Sequence, residues 1–154
     1  MNTLTFEVIR TSDDELIVTP WIDGTSLIDL IKSYEQSQDF DVIGGYGGLR
    51  PERYRYPPFF EYFMGKGGEI NITSDPTHVV VLGCDCGEVG CWPLALHVKR
   101  QGEEIRWTDF AQTYRPERNY DGFGPFVFER QAYEQVVRDL AAQLPPSRRV
   151  TSRE

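Results

Sequence analysis

Histidine and cysteine, which carry much of the metal and thiol chemistry of proteins, are scarce in this chain. It has two histidines and three cysteines among 154 residues. It also lacks the GxSxG, HExxH, GxxxxGK[ST] and GxGxxG patterns of hydrolases, metalloproteases and nucleotide-binding proteins. These absences make us favour a protein that is not an enzyme, although catalytic groups can also assemble from residues far apart in sequence.

Long apolar runs are absent as well. No stretch has the length of a membrane helix, and the first residues, MNTLTFEVIR, lack the basic and then apolar form of a signal peptide. We therefore predict a cytoplasmic protein that does not enter membranes. In that compartment clustered thiols are more often reduced or metal-bound than paired in structural disulfides.

Positive charge is in deficit. The formal net charge is −8 at pH 7, while the last ten residues, PPSRRVTSRE, contain three arginines and one glutamate. An acidic body repels phosphate backbones, so we expect no general nucleic-acid binding. The same charge favours solubility and would attract a basic protein partner.

The remaining composition is that of a folded chain, with 40% hydrophobic and 13% aromatic residues. We predict one α+β domain over residues 1–144, followed by a disordered tail over 145–154. The domain would have an antiparallel sheet of hairpins and a meander, packed by two main helices over 26–37 and 130–144. The predicted strands cover 3–10, 16–21, 78–84, 91–99 and 105–108, with a shorter one over 69–73.

The chain is organised around residues 79–98, where two apolar strands flank a glycine-rich turn. With Cys84 opposite Cys91, alternation pairs Leu82 with Pro93, Val80 with Ala95 and His78 with His97. The face that carries Val79 and Val81 is the more apolar and is predicted to face the core. Each histidine then lies six residues from a cysteine, roughly 20 Å at ~3.3 Å per residue, and cannot complete a cysteine metal site.

The three cysteines, Cys84, Cys86 and Cys91, form a C-x-C-x4-C cluster that supports three interpretations. They could pack a tight turn beneath Trp92. They could bind zinc, although a fourth ligand is needed and zinc sites usually show two ligand pairs. They could act as redox thiols, but the nearby Asp85 and Glu88 would raise their pKa values. We expect no cofactor, and zinc is the ion that the cluster would hold.

Two loop features suggest where a partner would bind. Gly44-Gly45-Tyr46-Gly47-Gly48 is predicted to be a flexible loop, and the tetrapeptide Arg-Pro-Glu-Arg at 50–53 recurs at 115–118. Both copies are predicted to be turns with locally paired charges. Irregular aromatic segments can present anchors to a partner. The candidate binding residues are Tyr46, Tyr54, Tyr56, Tyr114 and Tyr120.

Residues 82–94, LGCDCGEVGCWPL, resemble the signature of a widespread family of small uncharacterised bacterial proteins. The resemblance continues at 107–110 and at 122–134, GFGPFVFERQAYE. It implies no activity, substrate or cofactor, since none is established for that family, and no functional residue is carried over. The chain has Tyr114 where the family pattern suggests a histidine near Gln112.

Two hypotheses follow. The first is an acidic protein-binding module, such as an immunity- or antitoxin-like inhibitor of a basic protein. The second is a metal- or thiol-dependent protein, such as an oxidoreductase, that works through the cysteine cluster. Small size, excess negative charge and the lack of catalytic motifs favour the first.

Overall fold

The computed structural model describes residues 1–53, 56–66, 78–86 and 92–144, which form antiparallel sheets and helices of an α+β fold. The predicted fold class is therefore confirmed. All five strands of the predicted sheet and both main helices are present. The strands are β1 Leu4–Arg10, β2 Leu16–Ile22, β3 Thr25–Ser26, β4 Tyr46–Gly47, β5 His78–Cys84, β6 Leu94–Gln101, β7 Glu104–Gln112 and β8 Phe126–Glu129. The helices are α1 Leu27–Ser37, α2 Phe59–Phe63 and α3 Arg130–Gln143.

The strands form two sheets, so the prediction of a single sheet is wrong in this respect. One sheet has the order β1-β2-β3 and the other the order β4-β5-β6-β7-β8. After β2 the chain makes the short strand β3 and enters α1, whose first residue follows the N-cap Ser26. The β1–β2 hairpin therefore pairs with β3 in a sheet of its own and does not pair with β5.

The glycine-rich segment at 44–48 joins the two sheets and is not the predicted flexible loop. Tyr46 and Gly47 pair with β5, while Leu49 exchanges two main-chain hydrogen bonds of 2.8 Å with Val18 in β2. A Cβ on Gly47 would lie 2.9 Å from the Cα of Asp85, and one on Gly48 would lie 2.8 Å from the carbonyl oxygen of Val18. Glycine is needed because two main chains approach this closely.

The central hairpin has the predicted register over its outer part. His78 faces His97 and Val80 faces Ala95, but Leu82 faces Leu94 instead of Pro93 because a bulge shifts the register. The predicted core face is buried at Val79 and Val81, but the opposite face is buried as well, at Val80 and Leu82, which was not expected. Both faces of β5 are covered, as in strands at the centre of a domain. Cys91 lies outside the described residues.

Aromatic residues from α2, β7 and α3 fill the centre of the core. Trp107 donates a 3.0 Å hydrogen bond from its indole nitrogen to the Tyr133 hydroxyl, which donates in turn to the carbonyl of Phe63. The predicted apolar face of α3 is buried at Tyr133, Val137 and Leu140. The buried polar groups of these large side chains are thus satisfied inside the core.

Some predictions concern residues outside the described ranges, namely the short strand over 69–73 and the disordered tail over 145–154. The domain boundary at residue 144 stays a prediction. Across the described ranges, every helix is too short or too polar to cross a bilayer.

Candidate functional site

A buried carboxylate is the most distinctive polar feature of the structure. Glu35 on α1 is completely buried. Its Oε1 accepts a 2.8 Å hydrogen bond from the main-chain nitrogen of Gly44, and its Oε2 accepts from the hydroxyls of Tyr120 at 2.6 Å and Tyr46 at 3.4 Å. Such a carboxylate is stable away from water only because donors surround it.

Arg118 supplies the opposite charge. One guanidinium nitrogen lies 3.1 Å from Glu35 Oε2, and the other donates to Asp41 at 3.2 Å and to the carbonyl of Val42 at 2.5 Å. The side chain of Arg118 is only 3% exposed, and its guanidinium lies 4.7 Å from the centre of the Phe40 ring. Arg118 therefore fastens the chain after α1 to the segment that follows β7.

The protonation states in this cluster follow from its surroundings. Burial is the main cause that raises the pKa of Tyr120 to about 12, with a contribution from its hydrogen bond to Glu35. Burial likewise raises the pKa of Tyr46. The hydrogen bond from Arg118 is the main cause that lowers the pKa of Asp41. At neutral pH both tyrosines are therefore neutral hydrogen-bond donors, and Asp41 is ionised.

Trp92 lies against the outer side of this cluster. Its indole nitrogen donates a 2.9 Å hydrogen bond to the carbonyl of Gly44. The guanidinium groups of Arg115 and Arg118 lie over its ring at 5.0 and 5.5 Å from the centroid. Cations at this distance from an indole are attracted by its π electrons. The Trp92 ring thus connects the buried cluster to the surface.

Exposed apolar side chains lie in the chain segments next to this ring. Val42 is 45% exposed, Ile43 37% and Tyr114 49%, which makes three of the five exposed large apolar residues in the described part of the chain. We call this region the Trp92 surface and define it by Val42, Ile43, Trp92, Tyr114 and Arg115. Exposed carboxylates stand in the segments that form it: Asp39, Asp41, Asp85, Glu117 and Asp121.

The structure separates the predicted binding tyrosines into different environments. Tyr46, Tyr56 and Tyr120 are at most 5% exposed, so the expectation that they are exposed anchors is wrong for these three. Their rings pack in the core, and the hydroxyls of Tyr46 and Tyr120 bond to Glu35. Tyr114 is exposed, and its binding role stays a prediction. Tyr54 lies outside the described residues.

The described cysteines lie beside the Trp92 surface. Cys84 ends β5 opposite Tyr46, and Cys86 is exposed. The main-chain nitrogen of Cys86 lies 3.4 Å from Cys84 Sγ, and that of Asp85 donates to the carbonyl of Gly45 at 2.9 Å. Among the residues that the structure describes, which do not include Cys91, no three His, Cys, Asp or Glu side chains are placed to hold a metal ion.

A second polar cluster occupies the other end of β5. The rings of His78 and His97 stack with their centres 4.2 Å apart. His97 Nδ1 lies 2.8 Å from Asp109 Oδ2, and Lys99 Nζ lies 3.1 Å from the same oxygen. The hydrogen bond from His97 is the main cause that lowers the pKa of Asp109.

Sequence reasoning missed Glu35 and Arg118, and only Glu35 leaves a recognisable signal. Glu35 lies four residues after Ile31 on the buried face of α1, where an acid is out of place. An acidic residue on an apolar helical face predicts a buried charge that needs a partner. Arg118 shows no comparable signal, because its partner is 83 residues away.

Comparisons of the chain with protein-family models, with curated proteins and with solved structures returned no match. The resemblance of residues 82–94 to a family of small bacterial proteins therefore stays a prediction. The site is thus a surface with exposed apolar residues and exposed carboxylates in its segments, next to the buried pair of Glu35 and Arg118.

Proposed function

We propose that this protein is an acidic protein-binding module whose Trp92 surface docks a basic partner protein. An immunity- or antitoxin-like inhibitor of a basic toxin domain would have this character. The observation that carries the proposal is that exposed Val42, Ile43 and Tyr114 lie in chain segments held next to Trp92, and that these segments also carry exposed carboxylates. Apolar residues scattered singly over a surface need no such explanation, whereas a contiguous patch with a polar rim is typical of interaction sites.

The residue types at the centre of this surface support binding. Tryptophan, tyrosine and arginine are the side chains most enriched at the energetic centres of protein interfaces. Trp92, Tyr114 and Arg115 lie together here, with Arg115 already positioned over the indole ring. A side chain that is held in place before binding loses less conformational entropy when the partner arrives.

The buried ion cluster gives the surface a rigid base. Arg118 binds Glu35 and the carbonyl of Val42, so the apolar residues at 42 and 43 are fastened to the segment that carries Tyr114. Gly44 is held by both Glu35 and Trp92. These contacts join three chain segments into one surface, which favours recognition of a preformed partner shape.

The charge of the surface selects the partner. Five exposed carboxylates belong to its segments, and one of them, Asp41, pairs with Arg118, which Glu35 also neutralises. With a formal net charge of −8, the chain would attract a basic protein and speed its association. The same charge argues against general nucleic-acid binding. The absence of such binding and the cytoplasmic location both stay predictions.

The experiment is photocross-linking followed by kinetics. A benzoylphenylalanine replaces Tyr114 in one variant and Thr5 on β1 in a control variant, and the captured protein is then purified.

Ile43→Ala should raise the dissociation rate of the captured partner, because it removes apolar contact area from the centre of the interface. Ile9→Ala is the matched control, since Ile9 is 46% exposed and lies on β1.

The salt dependence of the association rate distinguishes electrostatic steering of the partner from close contact with it. The association rate should fall as ionic strength rises, because screening shortens the reach of the acidic field. An acidic partner, an association rate that is indifferent to salt, or equal effects of the two isoleucine substitutions would each contradict the proposal.

A second candidate is a metal- or thiol-dependent protein that uses Cys84, Cys86 and Cys91. The observation that favours it is the main-chain nitrogen of Cys86, which lies 3.4 Å from Cys84 Sγ and donates to that sulfur. Hydrogen bonds to sulfur stabilise the thiolate that metals and disulfides require, although the adjacent Asp85 opposes it. Native mass spectrometry of the chain and of its triple Cys→Ser variant tests this, with zinc retained only by the parent chain as the expected result.

A further inference from the structure

The loop between α1 and β4 carries two consecutive exposed apolar side chains. It comprises residues 38–45, and we call it the strap. Val42 is 45% exposed and Ile43 37%, and the side chain of Asp41 before them is 85% exposed. We call these three residues the tip of the strap. Two adjacent aliphatic side chains in water are unfavourable, which points to contact with another surface.

The backbone bends on both sides of the tip. Asp39 has a φ of 58°, and Gly44 and Gly45 have φ values of 79° and 86°. A residue in this left-handed region commonly ends a helix, as Asp39 does one residue after the C-cap of α1. Aspartate and glycine tolerate the region better than most residues. The residue types at both ends of the tip therefore favour the bends that are observed.

Hydrogen bonds fix the two ends of the strap and leave its tip with one anchor. The main-chain nitrogen of Phe40 donates to α1, and the carbonyl of Gly45 accepts from the main chain after β5. Residues 41–43 make no main-chain hydrogen bond to the main chain of other described residues. Within the described ranges, Arg118 alone bonds the tip to the body, through one carboxylate oxygen and one carbonyl. The tip is thus held in place but is not part of a sheet or helix.

This arrangement leaves a charged group of the tip available to a partner. Asp41 Oδ1 accepts from Arg118 at 3.2 Å and from the main-chain nitrogen of Val42 at 2.9 Å. Asp41 Oδ2 accepts no hydrogen bond from the described part of the chain. A carboxylate oxygen accepts strong hydrogen bonds from lysine or arginine. Because Arg118 already fixes the carboxylate, little conformational entropy is lost when such a cation binds.

The charge around the tip is negative. Asp39 and Asp41 are both exposed, and Arg118 is paired with buried Glu35. One exposed cation lies nearby, since the aliphatic part of Lys32 lies beside Gly44. Two carboxylates against one lysine attract a basic group of a partner and repel an acidic one.

We propose that the tip enters a concave apolar site on the basic partner, where Val42 and Ile43 fill the site and Asp41 binds a lysine or arginine at its border. This inference rests on the proposed function and names the part of the partner that the Trp92 surface recognises. Neighbouring aliphatic side chains on one short loop are removed from water most completely by a surface that encloses them. Anchors seated in pockets are also the contacts that dominate protein interfaces.

The first test locates the tip in the complex. A small aliphatic diazirine amino acid replaces Val42 in the full chain, and its cross-links are compared by mass spectrometry with those of the Tyr114 variant. We expect both variants to capture the same protein, with the cross-links from position 42 at residues that line a cavity in the partner. Cross-links from position 114 without any from position 42 would overturn this inference alone. No capture by either variant would overturn the proposed function and this inference with it.

The second test measures the contribution of the apolar side chains. Val42→Ala combined with Ile43→Ala should raise the dissociation rate of the captured protein by roughly 10-fold or more, because both changes remove contacts inside the site. Ile9→Ala on β1 is the control and should leave the rate unchanged. An unchanged rate for the double variant, with capture from position 114 intact, would overturn the inference.

The third test uses two carboxylates of the same strap. Asp41→Asn and Asp39→Asn each remove one negative charge and should slow association to a similar extent. Only Asp41→Asn should also raise the dissociation rate, by roughly 5-fold, because it alone loses a charged hydrogen bond to the partner. Asparagine tolerates the left-handed φ of Asp39, and an unshifted Trp92 indole N–H resonance checks that each variant keeps its fold. Equal dissociation rates of the two variants would contradict the binding of a partner cation by Asp41.

Discussion

The same four residues, Arg-Pro-Glu-Arg, occur at 50–53 and at 115–118, and the two copies have the same local shape in different surroundings. In the first copy the main-chain nitrogen of Arg53 donates to the carbonyl of Arg50 at 3.1 Å. In the second, Arg118 donates to the carbonyl of Arg115 at 3.0 Å. Both are therefore turns, as predicted.

Their charges are paired differently. Arg50 and Arg53 both bond to Glu15 near the surface, and Glu52 accepts from the main-chain nitrogen of Leu16. The Arg118 side chain is instead buried and pairs with Glu35, while the Arg115 guanidinium lies over the Trp92 ring. The prediction of locally paired charges is wrong for both copies, because the main partners are dozens of residues away along the chain.

The comparison shows that ion pairs made by the same four residues differ in their contribution to stability according to how far water reaches them. A pair that water still reaches loses little when one partner is removed, since the solvent takes its place. A pair that is sealed from water cannot be broken without leaving a bare charge in the interior. The first turn thus fastens a loop, and the second supports the Trp92 surface.

The largest expected effect comes from breaking the buried pair. Arg118→Met should lower the free energy of unfolding by roughly 3–5 kcal/mol, because it leaves the charge of Glu35 uncompensated in the interior. Arg53→Met is the matched control and should have a much smaller effect, since Glu15 keeps Arg50. Urea denaturation of both variants measures the difference, and equal losses would remove the distinction between the two turns.

Adding Glu35→Gln to Arg118→Met refines this test. Glutamine keeps an oxygen to accept from Gly44 and Tyr120 but carries no charge. The double variant should therefore be more stable than Arg118→Met alone. A further loss of stability would mean that the charge of Glu35 is not what makes the single substitution costly.

A smaller effect is expected at Gly48, just before the first Arg-Pro-Glu-Arg turn, where the main chain pairs with β2. Gly48→Ala should destabilise the protein by about 1–3 kcal/mol, because the new Cβ would meet the carbonyl of Val18 at 2.8 Å. At Gly122 the nearest atom is the movable Tyr34 hydroxyl at 3.2 Å, so Gly122→Ala is the control. Thermal denaturation compares the two, and a more stable Gly48→Ala variant would show that the sheets can separate at this point.

Loss of Arg115 should cost less than loss of Arg118. Arg115→Ala removes one cation from the Trp92 ring and should lower stability by about 0.5–1 kcal/mol. The indole N–H resonance of Trp92 should shift in the NMR spectrum, while those of Trp21 and Trp107 stay in place. An unchanged Trp92 resonance would show that the stacked arrangement does not persist in solution.

The smallest effect concerns pH. Arg118 lowers the pKa of Asp41 in the folded state, so this carboxyl contributes stability above its ordinary pKa and loses it as the pH falls through the lowered value. Arg118→Lys should raise the Asp41 pKa toward its ordinary value, because the lysine lacks the guanidinium fork. Carboxyl NMR titration measures this, with Asp23 as the control, since Asn2 and Thr3 lower its pKa independently. An unchanged Asp41 pKa would show that a group other than Arg118 lowers it.

Much of the fold was predictable because its causes are local. The apolar spacing of Tyr133, Val137 and Leu140 indicates the buried face of α3, and Ser26 marks the start of α1 by capping it. The register of His78 with His97 follows from the alternation of strands across one turn. The exposed position of Tyr114 was predicted, whereas the burial of Tyr46, Tyr56 and Tyr120 was not.

The sequence by itself determined the elements: turns at both Arg-Pro-Glu-Arg copies, strands that alternate and helices with an apolar face. Each depends on hydrogen bonds and side-chain spacing within a few residues, and these act whatever the rest of the chain does. Only the tertiary structure decided that Arg118 meets Glu35, that the glycines at 47 and 48 join two sheets, and that Trp92 becomes the centre of a surface. Those outcomes depend on which residues are shielded from water together, and burial is a property of the assembled domain that no short segment carries.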